Sequence, residues 1–120
     1  MTQAIPRSIQ DYSSVMKLAD SLRLSREQVR KILGISESTQ FRYEKKQPVL
    51  KPNLSDRWSR LTHVVELAND LFEDESEVQR WLSTPKQALG NRSPIDLLVT
   101  NTGFRQVEQL LLQASYGVFA

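Results

Sequence analysis

Between residues 36 and 46 the chain reads Ser-Glu-Ser-Thr-Gln-Phe-Arg-Tyr-Glu-Lys-Lys, a run whose side chains suit contact with nucleic acid. Ser36, Ser38 and Thr39 offer hydroxyls, and the backbone amides of a helix start offer donors; both are good phosphate ligands. Placed in a major groove, Glu37, Ser38, Thr39, Gln40 and Arg42 stand near base edges, where Gln pairs bidentately with adenine and Arg with guanine. Tyr43, Lys45, Lys46 and Lys51 follow as phosphate contacts. A second group is Tyr116-Gly117-Val118-Phe119-Ala120. Chain ends are ordinarily polar and frayed, so two aromatics within five residues suggest a tail that docks. The residue types alone leave open whether it docks on its own helices or on another protein. Catalytic chemistry lacks its residues. There is no nucleophile–base pair, no Gly-rich phosphate loop and no metal-spaced set of His, Cys and carboxylates. His63 stands alone and reads as a helix-face residue. The expectation is a chain that is not an enzyme, with no catalytic residue, no metal and no cofactor.

The elements that must position these groups are helical. No segment alternates with period 2, and no Asn-Gly or Asp-Gly hairpin signal occurs. Val15, Leu18, Ala19 and Leu22 predict a first helix over about 11–22. Ser25 with Gln28 three residues on forms a capping box for a second helix, whose buried stripe is Val29, Ile32 and Leu33 and whose end is Gly34 in a left-handed cap. Ser36 is the N-cap of a third helix through about Lys45, and Pro48 and Pro52 mark the break after it. Ser55 then opens a long helix with Trp58, Leu61, Val64, Val65, Ala68, Leu71 and Phe72 on one side. Asp74 and Glu77 make another capping box for a short helix carrying Val78, Trp81 and Leu82. Trp58, Phe72 and Trp81 are expected in the core, and 73–77 as a solvated junction. Ser93, Pro94 and Asp96 start a helix over about 94–100, which stops at Asn101-Thr102-Gly103. The last helix, about 104–115, buries Val107, Leu110, Leu111 and Ala114. Gly90 and Gly103 are expected in turns and caps.

Composition agrees with an ordinary soluble chain: 120 residues, 39% hydrophobic, 25% charged, one domain or two very small ones. With no cysteine, disulfides and thiolate metal sites are excluded. No apolar run approaches a membrane span of roughly 18 residues, and no signal-peptide core opens the chain, so a cytoplasmic location is expected. The net charge of +2 conceals an asymmetry: residues 1–60 carry 12 Lys and Arg against 6 Asp and Glu, and residues 61–120 carry 4 against 8. The basic half is where nucleic acid would bind.

The stretch Ser25 to Lys46 resembles the helix-turn-helix of the Xre class of bacterial and phage repressors: Ser25, Gly34 and Ser36 give the caps and turn, and Val29, Leu33 and Ile35 the core. It departs from that pattern at Arg30, where a small residue is usual, and at Gln40, where an aliphatic one is; a slight rotation of the helix would let Phe41 supply the apolar contact. From Leu54 onward the chain resembles the toxin-binding module of Xre/MbcA/ParS-type antitoxins, most of all the antitoxin of RES–Xre pairs. The residues carrying this likeness are Leu54-Ser55-Asp56-Arg57, Phe72, Arg80-Trp81-Leu82, Pro85, Ala88-Leu89-Gly90-Asn91-Arg92-Ser93-Pro94, Asp96-Leu97-Leu98, Gly103, Val107-Glu108, Leu110-Leu111 and Tyr116-Gly117-Val118. The resemblance implies an all-α fold: an N-terminal Xre-like helix-turn-helix bundle, residues 1–53, then a small helical dimerisation and toxin-binding region, residues 54–120. It implies an antitoxin whose segment 116–120 blocks the active site of a RES-type, NAD-degrading toxin and whose dimer binds operator DNA to regulate its own operon. The toxin contacts would be Leu89, Gly90, Asn91, Arg92, Tyr116, Gly117, Val118, Phe119 and Ala120. Arg92 by its position suits either the carbonyls of the preceding helix or an acidic partner. The alternative is a dimeric Xre-class repressor with no toxin partner.

Overall fold

The computed structural model describes residues 10–117, which form seven α-helices and one short 3-10 turn: α1 (Tyr12–Ser21), α2 (Arg26–Leu33), α3 (Glu37–Lys46), α4 (Pro52–Phe72), α5 (Glu75–Ser83), the 3-10 turn Gln87–Leu89, α6 (Pro94–Leu97) and α7 (Asn101–Ser115). No strand occurs among the described residues; the β-type pairing there is two isolated bridges, Asp11 with Val49 and Lys86 with Arg92. The fold is all-α, as expected. It divides into two compact units, Met1–Ser59 and Arg60–Ala120, with the boundary inside α4.

In the first unit, α1 starts on Asp11, whose carboxylate accepts from the Ser14 amide at 3.0 Å and the Ser13 hydroxyl at 2.7 Å. Those bonds hold the Asp11 carboxyl below its ordinary value, the Ser13 bond contributing most. The α2 cap forms as a full box: Ser25 Oγ accepts from the Gln28 amide at 3.0 Å, and Gln28 Oε1 accepts from the Ser25 amide at 2.8 Å. Two otherwise orphaned donors are thereby satisfied. Gly34 ends α2 at φ 70°, and its amide donates to the Arg30 carbonyl at 2.8 Å. Arg57 completes this end, its guanidinium donating to the Leu33 carbonyl at 3.3 Å, where a cation also complements the helix dipole. Tyr12, Val15, Ile32, Leu33 and Trp58 form the buried centre of the unit. The Asp11–Val49 bridge brings the chain before α1 to the α3–α4 connection, with Tyr12 N to Pro48 O at 2.9 Å and Leu50 N to Gln10 O at 2.7 Å.

α4 begins at Pro52 rather than at Ser55. Proline in a first helical turn forfeits no hydrogen bond, because the amide it lacks would be unpaired there. Ser55, read from the sequence as a cap, is fully buried inside the helix.

The second unit is centred on Leu61, Val64, Ala68, Val78, Leu98 and Val107, all fully buried, with Leu82, Ile95 and Leu111 nearly so. Three expectations change here. Asp74 caps α5, but onto the amide and hydroxyl of Ser76 (2.9 and 2.8 Å), and Glu77 instead pairs with Arg80 one turn on, so no capping box closes. Ser93 precedes Pro94 at the start of α6 without a side-chain cap bond, and α6 is one turn, ending at Leu97. The last helix starts three residues early, at Asn101, because Thr100 accepts from the Gly103 amide at 2.9 Å and caps it.

Gly103 is therefore helical and buried. A Cβ built there would lie 2.0 Å from the Leu97 carbonyl oxygen. The position is a close approach of α7 to the end of α6, not a turn. Leu110 and Ala114, expected in the core, are half-buried and line a groove.

Candidate functional site

The first candidate surface is the outer face of α3. Ser36 opens the helix: its hydroxyl accepts from the Thr39 amide at 3.1 Å and lies 3.0 Å from Thr39 Oγ1 and 3.2 Å from Ser38 Oγ. Ser36 is thus committed to holding the helix start. Glu37, Ser38, Arg42, Lys45 and Lys46 are exposed, Thr39 and Tyr43 half-buried. The Tyr43 ring packs edge-on against Tyr12, centroids 5.7 Å apart, with the Arg42 guanidinium 5.6 Å from its centre.

Gln40, read from the sequence as a base contact, is instead 0% exposed. Its Nε2 donates to the Arg26 carbonyl at 2.7 Å, its Oε1 accepts from Arg30 Nη1 at 3.4 Å, and its amide also hydrogen-bonds the Tyr12 hydroxyl. Burial pushes the Tyr12 phenol above its ordinary value, and the bond with Gln40 opposes that shift. A buried amide is costly unless both its ends are paired; here they are, and no buried side-chain nitrogen or oxygen among the described residues lacks a partner. The two departures from the repressor pattern thus explain each other: Arg30 and Gln40 meet across the α2–α3 contact. No rotation of α3 is needed, and Phe41 points outward, 56% exposed. The sequence held a signal for this: both departures fall in the same motif, ten residues apart.

One side chain that sequence reasoning passed over also fixes α3. Arg26 forms a bidentate pair with Glu44, Nε to Oε2 at 2.7 Å and Nη2 to Oε1 at 2.8 Å. This bond, more than the Coulomb attraction, holds the Glu44 carboxyl below its usual range. It draws one of the two α3 carboxylates toward α2.

The other candidate surface lies in the second unit. Lys86 N bonds to Arg92 O at 3.1 Å, closing the loop in which Gly90 (φ 67°) and Asn91 (φ 62°) both take left-handed conformations. Gly90, Asn91 and Arg92 are exposed on that loop, whereas Leu89 is 8% exposed and belongs to the core that anchors it. Leu89 offers little surface to a partner. Arg92 Nη2 donates to the Asp96 carbonyl at 3.4 Å, which belongs to the following helix α6 and not to the preceding helix expected from the sequence. Tyr116 is 76% exposed and Gly117, at φ 63°, is exposed beside it. Val118, Phe119 and Ala120 lie outside the described residues.

Beside this loop runs an apolar groove of ≈ 450 Å³ among Leu71, Phe72, Trp81, Pro85, Leu110 and Ala114. Phe72 and Trp81, expected in the core, are half-buried in its wall with ring centroids 6.0 Å apart. Lys86 sits 5.0 Å from the Trp81 ring centre, its ammonium pushed below its ordinary value first by burial and then by Arg80. His63 Nε2 is 2.8 Å from Glu108 Oε2, and its ring is 6.0 Å from that of Phe104. The pair joins α4 to α7 within this unit. Among the described residues no group of three or more His, Asp or Glu is placed to hold a metal ion, and no helix is long and apolar enough to cross a membrane.

Both surfaces fall within regions similar to known proteins. Residues 11–63 match the model of the antitoxin Xre-like helix-turn-helix domain. Residues 67–117 match that of the antitoxin Xre/MbcA/ParS C-terminal toxin-binding domain. Over 76 residues the chain is 38% identical to a protein named antitoxin Xre from Pseudomonas putida, covering 63% of this chain and 47% of that one. Over 70 residues it is 41% identical to an antitoxin Xre from Yersinia enterocolitica, covering 58% and 47%. The chain thus matches about half the length of these relatives. Among solved structures, the crystal structure of the M. tuberculosis MbcT–MbcA toxin–antitoxin complex contains a chain of similar fold. Its TM-score is 0.61 at 23% identity, over 90% of this chain and 96% of that one.

Proposed function

Because the chain belongs to the Xre/MbcA/ParS-type antitoxins, with both domains of that family in order, we propose that it neutralises a toxin enzyme and regulates its own operon by binding operator DNA. DNA contact is assigned to residues 1–53, and dimerisation and toxin contact to residues 54–120. The toxin proposed is a RES-type, NAD-degrading enzyme, in line with the likeness to the antitoxins of RES–Xre pairs, and the complex would work in the cytoplasm. The observation that carries the toxin-binding half is the family match over 67–117, which runs through the exposed loop Gly90–Arg92 and up to exposed Tyr116 and Gly117. In this reading the segment 116–120 enters the toxin's cleft: aromatic side chains are efficient anchors in a desolvated pocket, and glycine admits close backbone approach. The loop residues Gly90, Asn91 and Arg92 flank it. The DNA-binding half is supported by the exposed, basic face of α3 behind a tight, capped turn.

Co-expression tests the proposal. A RES-type toxin is induced with the full chain, with Tyr116→Ala, or with a chain lacking 116–120, and growth and cellular NAD are followed. Protection by the full chain and its loss on truncation, with retained binding to the DNA upstream of its own reading frame, is the expected pattern. Full protection by the truncated chain would show that 116–120 is not the inhibitory element. A full chain that binds this DNA but never protects would leave the dimeric repressor as the better reading.

A further inference from the structure

We infer that Phe41 is a base-reading residue, and that the group it reads is the 5-methyl of thymine in the major groove. The inference rests on the DNA-binding reading of α3 and deepens it. Burial of Gln40 fixes the rotation of the helix: with about 100° between successive residues, the exposed side of α3 is set by the residue that faces the core. Ser38, Phe41, Arg42 and Lys45 then fall within an arc of about 100° on the opposite side, and all four are exposed. A phenylalanine ring 56% exposed at one edge of that arc leaves apolar surface in water that neither α1 nor α2 covers. Its flanking groups are those that suit DNA. Lys45 Nζ lies 4.6 Å from the ring centre, a cation–π contact that restrains the ring and places an ammonium beside it for a phosphate. Arg42 is the next residue. Glu44, the carboxylate nearest in sequence, is held by Arg26 on α2. In the major groove the thymine methyl is the apolar feature that a phenyl ring complements, whereas the other edges ask for hydrogen-bonding side chains.

The ligand chemistry makes the test specific, since deoxyuridine differs from thymidine by that methyl alone. Full-length protein first selects a preferred duplex from a random library. Its affinity at fixed salt is then measured on duplexes with single thymines replaced by deoxyuridine, for the wild type and for Phe41→Ala. The expected result is one thymine whose replacement weakens wild-type binding about fourfold, the transfer free energy of one methyl-sized group expressed as a binding ratio. Phe41→Ala should bind the thymine duplex more weakly yet be indifferent to the replacement, with unchanged thermal unfolding because the ring is exposed. A wild type insensitive to every replacement, a selected site with no thymine, or a Phe41→Ala protein that keeps the methyl sensitivity overturns the assignment. So does a Phe41→Ala protein that loses toxin neutralisation but not DNA affinity, which would make the ring a protein contact. A wild type that enriches no duplex defeats the DNA-binding reading itself.

Discussion

Gln40 and Arg30 show how two unusual residues can be one ordinary solution. A helix-turn-helix needs its two helices in close contact, commonly through a small residue on one and an aliphatic residue on the other. Here the same space is filled by an amide that donates to the Arg26 carbonyl and accepts from the Arg30 guanidinium. Each partner is costly without the other. Gln40→Leu should lower unfolding free energy by about 1–3 kcal/mol, since it removes the fully buried amide's bonds to the Arg26 carbonyl and to the Arg30 guanidinium. Arg30→Ala in the same protein should recover part of that loss by restoring a small residue opposite an aliphatic one. Urea unfolding of the two single variants and the double gives the coupling; additive losses would show that the pair is not a unit. The sequence exposed both oddities but not their relation, because the partner of Gln40 is a backbone carbonyl fourteen residues away. Phe41 was misplaced for the same reason: an apolar residue beside a polar one looks like the core member until the polar one is seen to be fully paired.

At the scale of elements, what was legible was local. Caps declare themselves within four residues, so the box at Ser25 and Gln28, the Ser36 cap and the left-handed Gly34 all stand where the sequence put them. Boundaries where neighbouring residues offer two readings did not. Thr100 captures the start of α7, and Gly103, which resembled a helix stop, lies inside it against the Leu97 carbonyl. Glycine codes equally for a left-handed turn and for the absence of a side chain, and only the packing tells which. Two substitutions separate these roles. Gly103→Ala should cost about 1–3 kcal/mol or more, the range for forcing atoms into filled space, because its neighbour is backbone and cannot swing aside. Gly90→Ala meets open space and should cost only the strain of a left-handed alanine, about 1–2 kcal/mol. Chemical denaturation orders the two. Equal costs would mean that α7 can shift away from α6 without penalty. Of the second candidate surface, the sequence located the loop and the exposed Tyr116, but it also included Leu89. Along a loop, exposure has no period to read, and one inward side chain looks like its neighbours.

At the scale of the whole chain, the charge asymmetry matches the two units: the basic half holds α3 and the acidic half holds the second candidate surface. The unit that would meet a polyanion is the one without excess carboxylate. If α3 enters the major groove, binding to the selected duplex should weaken linearly in the logarithm of salt concentration, with a slope of about −0.9 per phosphate neutralised. Lys46→Ala should reduce that slope by about 1 across sequences, whereas Arg42→Ala should cost about 1–3 kcal/mol mainly on the preferred duplex. Titration by fluorescence anisotropy at four salt concentrations distinguishes them; identical slopes for Lys46→Ala and wild type would remove Lys46 from the phosphate contacts.

The inward amide of Gln40 also sets the terms on which α3 could be transplanted. A graft that moves the outward residues of α3, Glu37, Ser38, Phe41, Arg42 and Lys45, carries the surface alone and suits a recipient with an aliphatic residue at the inward position. A graft of the whole helix into a scaffold with a small residue in place of Arg30 would import an amide lacking one of its partners. In this head the inward pair travels together, while the outward residues are interchangeable parts.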